Sequence, residues 1–583
     1  MRSRSSPSLS PGSARSAERT RSTLVTSPQL ARFQQRLFNR FYRDEGNINR
    51  FDPVRVSRVN SPRSTEGEFP ASVGTPCIRC YDARVFNMAV TLPTNAASVG
   101  VEARSGLDPW GRAELPLPPR PTGLGWLRVV GPGVIVLGAA IGSGEFLLGP
   151  AVFVRHGLSL LWITVVATVL QTIFNTEVMR YTLATGEPVF TGFMRTRPSS
   201  TLWAWVYVAA YFLQQGWPGF AATAAAAIFF LFSGRLPTGD DGGAIYGIGV
   251  AIFLACAAVL SIGKRIERTL ELLNWVLIGC ILVSFLALAI MFVPSATWLS
   301  AVVGLGGVDS QTWQWQPVPA GADFFLLGAL VAFSGAGGVV NLTLSNWARD
   351  RGYGMSERAG YISGAVGGTK VRLAHTGFMF ADTPESMTNW RGWWRIVRAD
   401  QWGIFCTGAI AGMILPALLY VTFLPRGTDI QGLGIGAALA SGMGARAGAA
   451  IGALIAVLGA WILVKTQLDV LDGIVRGVTD MLWTGNRRLR EWPGADVRFV
   501  YYTVLATLVV WALIAMRLAQ PIMLVKISAN AAGVTLVVAS LHLLYVNTHL
   551  LPPHIRPPMW RRAALVAVAI FYGLFAAFAL LSL

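Results

Sequence analysis

Long apolar stretches separated by short charged segments make up the chain from residue 125 onward. The runs 250–260, 275–293 and 564–583 contain almost no polar position, whereas a helix on the surface of a soluble protein keeps one polar face. A helix needs about 20 mainly apolar residues to cross the hydrocarbon core of a bilayer. The pattern therefore predicts an all-α polytopic membrane protein and disfavours a large soluble one.

Eleven stretches are long enough to span the bilayer, and we predict a transmembrane domain over residues 125–583. They fall into two groups of five and one additional span, which is the arrangement of transporters built from two inverted five-helix repeats. In such a repeat, the first span corresponds to the sixth. The predicted spans are 129–154, 158–179, 203–233, 244–263, 269–293, 323–347, 403–424, 447–471, 498–516, 521–546 and 564–582.

The charged residues between the spans alternate in sign along the chain. Segments that follow spans two, four, six, eight and ten are rich in Arg and Lys, whereas those after spans three and five carry Asp240, Asp241 and Asp309. Cytoplasmic loops are enriched in basic residues, so we predict a cytoplasmic N-terminus and an external C-terminus in the cell (inner or plasma) membrane. The net charge of +18 follows from this distribution, and no nucleic-acid partner is predicted.

Residues 1–120 contain no apolar span and are rich in Arg, Ser and Pro. Such a segment buries too little apolar surface to fold alone, so it is predicted to be a disordered cytoplasmic tail. A targeting segment and an over-long translation start are the alternatives, with Met88 as the candidate true start. The tail also holds Cys77 and Cys80 as a single CxxC pair, which without a second pair or histidines is weak evidence for zinc. The remaining cysteines lie in spans and are interpreted as small apolar residues: Cys256, Cys280 and Cys406.

Span one contains a carboxylate directly after a Gly-Ser-Gly sequence. Glycine costs about 1 kcal/mol against alanine in a helix, and an intramembrane carboxylate is expensive unless it has a partner. We interpret the segment as unwound backbone at an ion site; close packing of small residues, with the acid paired to Arg or Lys, is the alternative. The candidate residues are Gly142, Ser143, Gly144 and Glu145.

Span six carries a matching glycine run near its middle, followed by an asparagine. Two broken helices at corresponding positions of two repeats indicate a binding site at the middle of the membrane. We expect the carbonyl ends of the two first half-helices to face a cation, with Glu145 supplying negative charge. The candidate residues in this span are Ser334, Gly335, Ala336, Gly337 and Asn341.

Further polar groups lie within or beside the spans. Lys465 and Asp469 are four residues apart in span eight and are expected to pair on one face. Gln467 and Asp472 are candidates to line a cavity, and Glu177 is expected to form an interfacial ion pair with Arg180. Three acids are also candidates for ion coupling: Glu177, Asp469 and Asp472.

No catalytic or nucleotide-binding motif is present in the sequence. There is no Walker loop, HExxH helix, nucleophile elbow or dinucleotide fingerprint. The chain is therefore predicted to be no enzyme and to need no cofactor, with an ion gradient or the membrane potential as the source of energy for transport.

At these residues the sequence resembles the Nramp divalent-metal transporters of the LeuT-type superfamily. The family pattern of Gly-Pro-Gly, eight residues, and a four-residue metal motif falls without a gap on Gly131-Pro-Gly133 and Gly142-Ser-Gly-Glu145, and the family's Ser-Leu-Leu-Trp falls on Ser159-Leu-Leu-Trp162. In span six the family's Met-Pro-His-Asn-Leu falls on Gly338-Val-Val-Asn-Leu342. The resemblance covers roughly residues 125–545 and implies eleven helices, a cytoplasmic N-terminus and metal-ion transport.

The departures from the family pattern change the implied ligands. The family's metal-binding Asp falls on Gly142 and its Asn on Glu145, while the sulfur ligand Met falls on Gly338 and the proton-linked His on Val340. The resemblance then implies a divergent branch with oxygen ligands, which suit hard cations such as Mg²⁺ or Mn²⁺.

The function predicted from the sequence is secondary transport of a divalent cation by alternating access, with proton coupling as an option and Glu145 as principal ligand or proton carrier. Two alternatives stay open: an ion-coupled transporter of amino acids or other small organic solutes, and a non-transporting membrane sensor.

Overall fold

The computed structural model describes residues 106–261, 266–361, 374, 376–430, 434–492 and 496–582. The predictions for Cys77, Cys80 and Met88 lie outside these residues, as does the tail up to residue 105. Within the described part, the chain is almost entirely helical.

Within the described residues, ten helices are long and apolar enough to cross a membrane, and the region of predicted span six forms two shorter helices. The all-α polytopic fold is thus confirmed, and the number of eleven spans stays a prediction. In chain order, the spans are Pro132–His156, Leu158–Thr185, Ser200–Ser233, Gly239–Leu260, Leu270–Phe292, the pair Phe324–Phe333 and Val339–Arg351, Pro384–Phe423, Ala449–Gly485, Val497–Ala515, Pro521–His549 and Met559–Leu581.

Short elements connect the spans, and span seven begins earlier than predicted. Its first helix, Pro384–Arg398, turns Trp390, Trp393 and Trp394 inward and continues directly into the predicted part of the span. The other short helices are Gly123–Gly125, Trp126–Val129, Val189–Met194, Ser295–Gly304, Gly354–Arg358, Ile435–Ala437, Ala438–Ala447, Arg487–Glu491 and Pro553–Ile555.

The spans differ in how far protein surrounds them. In span one, 100% of the most apolar 18-residue stretch is buried inside the protein, whereas in span eleven only 28% of the corresponding stretch is buried. Large apolar side chains such as Val283 and Ile290 remain exposed on the outer spans, as expected of surfaces that face lipid. Span one is therefore a central helix, and span eleven is peripheral.

We call the side of the membrane from which span one starts the N side, and the opposite side the far side. On the N side, the strand Gly111–Arg112 pairs in parallel with Phe378–Met379, which follows span six. Trp110 is 1% exposed, and the Arg195 guanidinium lies 5.2 Å from the centre of its ring. Trp393 Nε1 donates to the Pro116 carbonyl at 2.8 Å. The expectation of a free tail up to residue 120 is therefore wrong for the segment 107–118, which we call the strap.

Replacing Trp110 with alanine is expected to release the strap, because burial of this one indole anchors it and loss of a buried Trp costs about 3–5 kcal/mol. Limited trypsin digestion in detergent should then cleave after Arg112 at least about 10-fold faster than in wild type. Leu117→Ala is the matched control, since Leu117 is 73% exposed. Equal cleavage rates in the two variants would contradict the anchoring role.

Candidate functional site

The interruption in span one is a widened helix rather than an unwound one. The α-helix Pro132–Ala140 continues as the π-helical segment Ile141–Leu148 and then as the α-helix Gly149–His156. The flanking dihedral angles stay in the right-handed helical region. The α-helical pattern is thus interrupted where the sequence predicts, but by a π segment of the kind often found at functional sites.

Close approach of neighbouring helices explains the two glycines of this segment. A Cβ atom on Gly142 would overlap the Thr466 hydroxyl of span eight, and one on Gly144 would overlap the Phe333 carbonyl of span six. Ser143 turns its hydroxyl back to the Ala140 carbonyl at 2.9 Å. The small residues therefore serve packing, as the alternative interpretation holds, and they bring span one against the break in span six.

Span six is interrupted by a non-helical segment, unlike span one. Its first helix ends at Phe333, and its second begins at Val339. Between them Gly335, Gly337 and Gly338 have φ angles of 110°, 79° and 51°, a region that glycine enters without steric cost. The chain leaves helical geometry for five residues and frees backbone groups in the buried interior.

Two glutamines from neighbouring spans satisfy these freed groups. Gln171 of span two donates to the Ser334 carbonyl at 3.2 Å and accepts from the Gly337 amide at 3.0 Å. Gln214 of span three donates to the Gly337 carbonyl at 2.9 Å and accepts from the Val339 amide at 2.8 Å. The carbonyls of Ser334 and Gly337, expected to face a cation, therefore already accept hydrogen bonds. Neither glutamine is among the candidates drawn from the sequence, although a glutamine within an apolar stretch is itself a signal.

Replacing Gln214 with leucine is expected to destabilise the protein, because the Gly337 carbonyl and the Val339 amide would stay buried without partners. Each such group costs about 1–3 kcal/mol, so thermal unfolding in detergent should shift down by several degrees. The exposed Gln520 provides the control variant Gln520→Leu, which should unfold like wild type. An unchanged unfolding temperature for Gln214→Leu would contradict the bracing role.

Glu145 connects the two interruptions directly. Its carboxylate is fully buried, and Oε1 accepts a hydrogen bond of 3.3 Å from the Gly335 amide in the break of span six. Among the described residues Oε2 has no hydrogen-bond partner, and the nearby Lys465 forms an ion pair with Asp469 instead, at 2.9 Å. The expected pairing of Lys465 with Asp469 is confirmed, and one buried carboxylate oxygen is left without a partner.

The remaining ligand candidates are partly engaged. Asn341 Nδ2 donates to Asn175 at 2.8 Å, while its Oδ1 is buried without a hydrogen-bond partner in the described part of the chain. Gln467 Oε1 accepts from the Ala221 amide at 3.1 Å and so caps the second half of span three. Ala336 is buried and offers only backbone. Asn341 thus keeps a free oxygen, whereas the Gln467 oxygen is occupied.

Two of the three coupling candidates lie in closed ionic networks on the N side. Glu177 accepts from Arg180 at 2.8 Å and from Arg561 at 3.0 Å, which confirms the expected pair with Arg180. Asp472 accepts from Arg476, Trp347 and Tyr501, each at 2.9 Å. These two acids hold helices together, and only Asp469 lies near Glu145, through their shared neighbour Lys465.

Both ends of span one are fastened to other elements. On the N side, the Gly131 and Gly133 amides donate to the buried Asp400 carboxylate at 3.0 and 2.8 Å. On the far side, Arg426 bonds to the His156 carbonyl at 2.7 Å and to Asp309 at 2.9 Å, and this hydrogen bond lowers the pKa of Asp309. In the described conformation, span one is therefore fixed to other elements at both of its ends.

The described residues contain no group of three or more His, Cys, Asp and Glu side chains arranged to hold a metal ion. A cation beside Glu145 would accordingly have a single carboxylate as charged ligand. The other ligands would be neutral oxygens of the Asn341 kind and of the backbone.

Comparison with known proteins identifies the fold. No protein-family model and no curated protein sequence matches the chain. Among solved structures, the chain is similar to three single-substitution mutants of a manganese transporter from Eremococcus coleocola, each with a TM-score of 0.53. Two of them are 15% identical, with 78% of this chain and 87% of that chain covered; the other is 14% identical, with 79% and 88% covered. The chain thus shares the fold of a polytopic transporter.

Proposed function

We propose that this chain is a secondary transporter that carries a divalent cation, with Mn²⁺ and Mg²⁺ favoured, by alternating access. The observation that carries the proposal is the Oε2 of Glu145, which has no hydrogen-bond partner among the described residues and is buried where the interruptions of spans one and six meet. An ionised carboxylate is expensive in a dry interior unless a cation or a proton accompanies it. A transported cation in exchange with protons supplies such a partner in each half of the cycle.

The geometry favours a cation over an anionic solute. The Gly335 amide, which the break in span six presents, already donates to Glu145. A substrate carboxylate at this point would compete with the side-chain carboxylate for the same donor and would be repelled by its charge. The alternative of amino-acid transport therefore has less support than cation transport, and the similarity in fold to a manganese transporter adds to the latter.

The oxygen-only ligand set supports a divergent branch of the Nramp-like transporters. Where the family has its Met, Gly338 has a positive φ of 51°, and a Cβ atom there would overlap Gln214 and lie 2.8 Å from Ala532 Cα. A sulfur ligand at this position is incompatible with the Gln214 bridge. Glu145 and Asn341, both oxygen donors, remain, and hard cations prefer such donors.

Alternating access assigns a role to the two fastened ends of span one. Release of the Asp400 contacts opens the site to the N side, and release of the Arg426 contacts opens it to the far side. Since these two sets of contacts lie at opposite ends of span one, one set can break while the other holds.

Uptake by proteoliposomes tests the proposal. Purified protein in liposomes should accumulate Mn²⁺ or Mg²⁺ faster than protein-free liposomes, and an inward proton gradient should change the rate. Uptake of amino acids without metal uptake would favour the organic-solute alternative. Absence of any flux from a folded, reconstituted protein would favour a sensor and overturn the proposal.

A further inference from the structure

The segment that links spans ten and eleven on the N side, residues 550–558, is rich in basic residues, as is the first turn of span eleven. The linking segment carries Arg556, and the first turn carries Arg561 and Arg562. No Asp or Glu occurs after Asp496 in the sequence, so a carboxylate that pairs with these arginines must come from another part of the fold. The three arginines differ in whether they have such a partner.

Arg561 is directed into the helix bundle. Its side chain is buried, and Nη1 donates to Thr176 at 2.8 Å and to Glu177 at 3.0 Å in span two. From the same span, Arg180 donates to the Ile555 carbonyl of the linking segment at 3.0 Å. These bonds fasten the linking segment to span two from the inside, and Glu177 is shared between two arginines.

Arg556 and Arg562 reach the surface of the same region, and both are half-buried. Arg556 Nε donates to the Leu551 carbonyl at 2.7 Å, and Arg562 Nε donates to the Pro557 carbonyl at 2.8 Å. Arg562 Nη1 also lies 3.9 Å from the sulfur of Met559. Neither arginine forms an ion pair with a described residue. Each guanidinium is therefore held by its Nε, while its charge has no carboxylate beside it in the described part of the chain.

Exposed apolar side chains place these two arginines at the boundary with lipid. Met559 is 73% exposed and Trp560 is 48% exposed, and the span that follows them turns large apolar residues such as Ile570 outward. Tryptophan is typical of the depth at which lipid headgroups lie. The arginines are thus at headgroup depth, beside a helix whose apolar surface is open to acyl chains.

A phosphate group fits the chemistry of this surface. The planar guanidinium binds two phosphate oxygens in parallel, and side chains that are already held in place lose less conformational freedom on binding. Basic clusters beside a transmembrane helix attract anionic lipids. Asp382, an acid that the fold brings to the linking segment, lies 3.2 Å from His554 and does not pair with either arginine. A zwitterionic headgroup would bring its own cation to a surface that offers it no carboxylate.

We propose that Arg556, Trp560 and Arg562 form a binding site for the headgroup phosphate of an anionic phospholipid in the N-side leaflet. The lipid phosphate supplies the negative charge that the chain lacks at this position, and the acyl chains lie along span eleven. Binding from the lipid side complements the bonds of Arg561 to span two, so the lipid stabilises the attachment of spans ten and eleven to the bundle. This site is separate from the proposed cation site and does not depend on it.

Thermal unfolding of the purified full chain in dodecyl maltoside micelles tests this inference. Palmitoyl-oleoyl phosphatidylglycerol is compared with the phosphatidylcholine of the same acyl chains at equal mole fraction. Phosphatidylglycerol should raise the unfolding temperature of wild type by about 3 °C or more above its value in phosphatidylcholine, because a ligand that binds only the folded state stabilises it. Arg556→Gln/Arg562→Gln should lose most of this rise. The matched control Arg487→Gln/Arg488→Gln removes the same charge from exposed positions and should keep it.

Native mass spectrometry of the same samples counts the bound lipids. The fraction of protein with a bound phosphatidylglycerol should fall at least about 5-fold in the double glutamine variant, because each interfacial arginine attracts an anionic lipid. Arg556→Lys/Arg562→Lys keeps the charge without the planar guanidinium and should lie between the two. If the double glutamine variant does not fold, Arg562→Gln alone replaces it in both measurements.

Equal responses of wild type and the glutamine variant to phosphatidylglycerol would overturn the inference, as would equal stabilisation of wild type by the two lipids. Sodium phosphate added to phosphatidylcholine micelles, with NaCl keeping the ionic strength constant, distinguishes a free anion from a lipid. The same rise with sodium phosphate would identify a site for a soluble anion and overturn the lipid assignment. Metal uptake enters none of these measurements, so the two proposals can fail separately.

Discussion

Glu145→Gln is expected to lower Mn²⁺ or Mg²⁺ uptake at least about 10-fold, since even the loss of a group that only supports a metal ligand costs about 10–100-fold. Glutamine preserves the size of the side chain and an oxygen for the Gly335 amide. It removes the negative charge of the carboxylate that joins the two interruptions. Binding of a divalent cation therefore loses its principal electrostatic contribution.

Uptake in proteoliposomes, normalised to the amount of inserted protein, measures this effect. Thermal stability should be equal to wild type or higher, because the variant no longer buries an unpaired charge. Glu357→Gln, at an exposed carboxylate on the N side, is the matched control and should transport normally. Metal uptake by Glu145→Gln at the wild-type rate would refute the assignment of the site.

Arg476→Leu is expected to cause a large loss of stability, about 3–5 kcal/mol. The guanidinium is fully buried between Asp472 and Asp350, with both of which it forms ion pairs. Leucine is shorter and uncharged, so Asp472 keeps only the neutral donors Trp347 and Tyr501 in a buried interior. Spans six and eight are joined at this point, so the loss should weaken the whole N side.

Unfolding monitored by tryptophan fluorescence in detergent measures this loss. The control is Arg487→Leu, whose pair with Glu491 has the same four-residue spacing but side chains that are 80% and 60% exposed. Exposed pairs contribute little, so this control should unfold at the wild-type temperature. Similar behaviour of the two variants would show that burial of the Arg476 network contributes nothing.

The spans were predictable because the length of an apolar run is a local property of the sequence. The exact form of the span-one interruption was not, since a π segment and an unwound segment share the same glycines. What decides between them is the distance to Thr466 and Phe333, which belong to other helices. Span six differs because three glycines in five residues permit a left-handed backbone outright.

The candidate site was predictable in outline through its charge and its symmetry. A lone carboxylate in span one and a glycine run in span six were both visible, and the two are in contact through the hydrogen bond from the Gly335 amide to Glu145. The roles of Gln171 and Gln214 depend on which faces of spans two and three turn inward, and no local pattern encodes this. Asp472 was predicted to line a cavity or to couple an ion, whereas it pairs with Arg476, four residues further along the same helix.

The strap shows a different limit of sequence reasoning. Residues 107–118 look like the end of a polar, proline-rich tail, because their apolar residues are too few to form a core. They bind by placing Trp110 and Leu115 into space that the N-side loops leave open. A segment that cannot fold alone can still be ordered by a surface that is already built.

The glutamine braces determine which part of the molecule can move. Gln171 of span two and Gln214 of span three form hydrogen bonds with the break in span six on both sides of Gly337. We therefore expect the break to keep its conformation and not to act as a hinge. Span one contacts it through close glycine packing and one long hydrogen bond from Gly335 to Glu145. In the proposed transport cycle, opening and closing would then be a tilt of span one against the stationary break in span six. Hydrogen exchange should accordingly find the Gly337 and Val339 amides protected in both the presence and the absence of Mn²⁺.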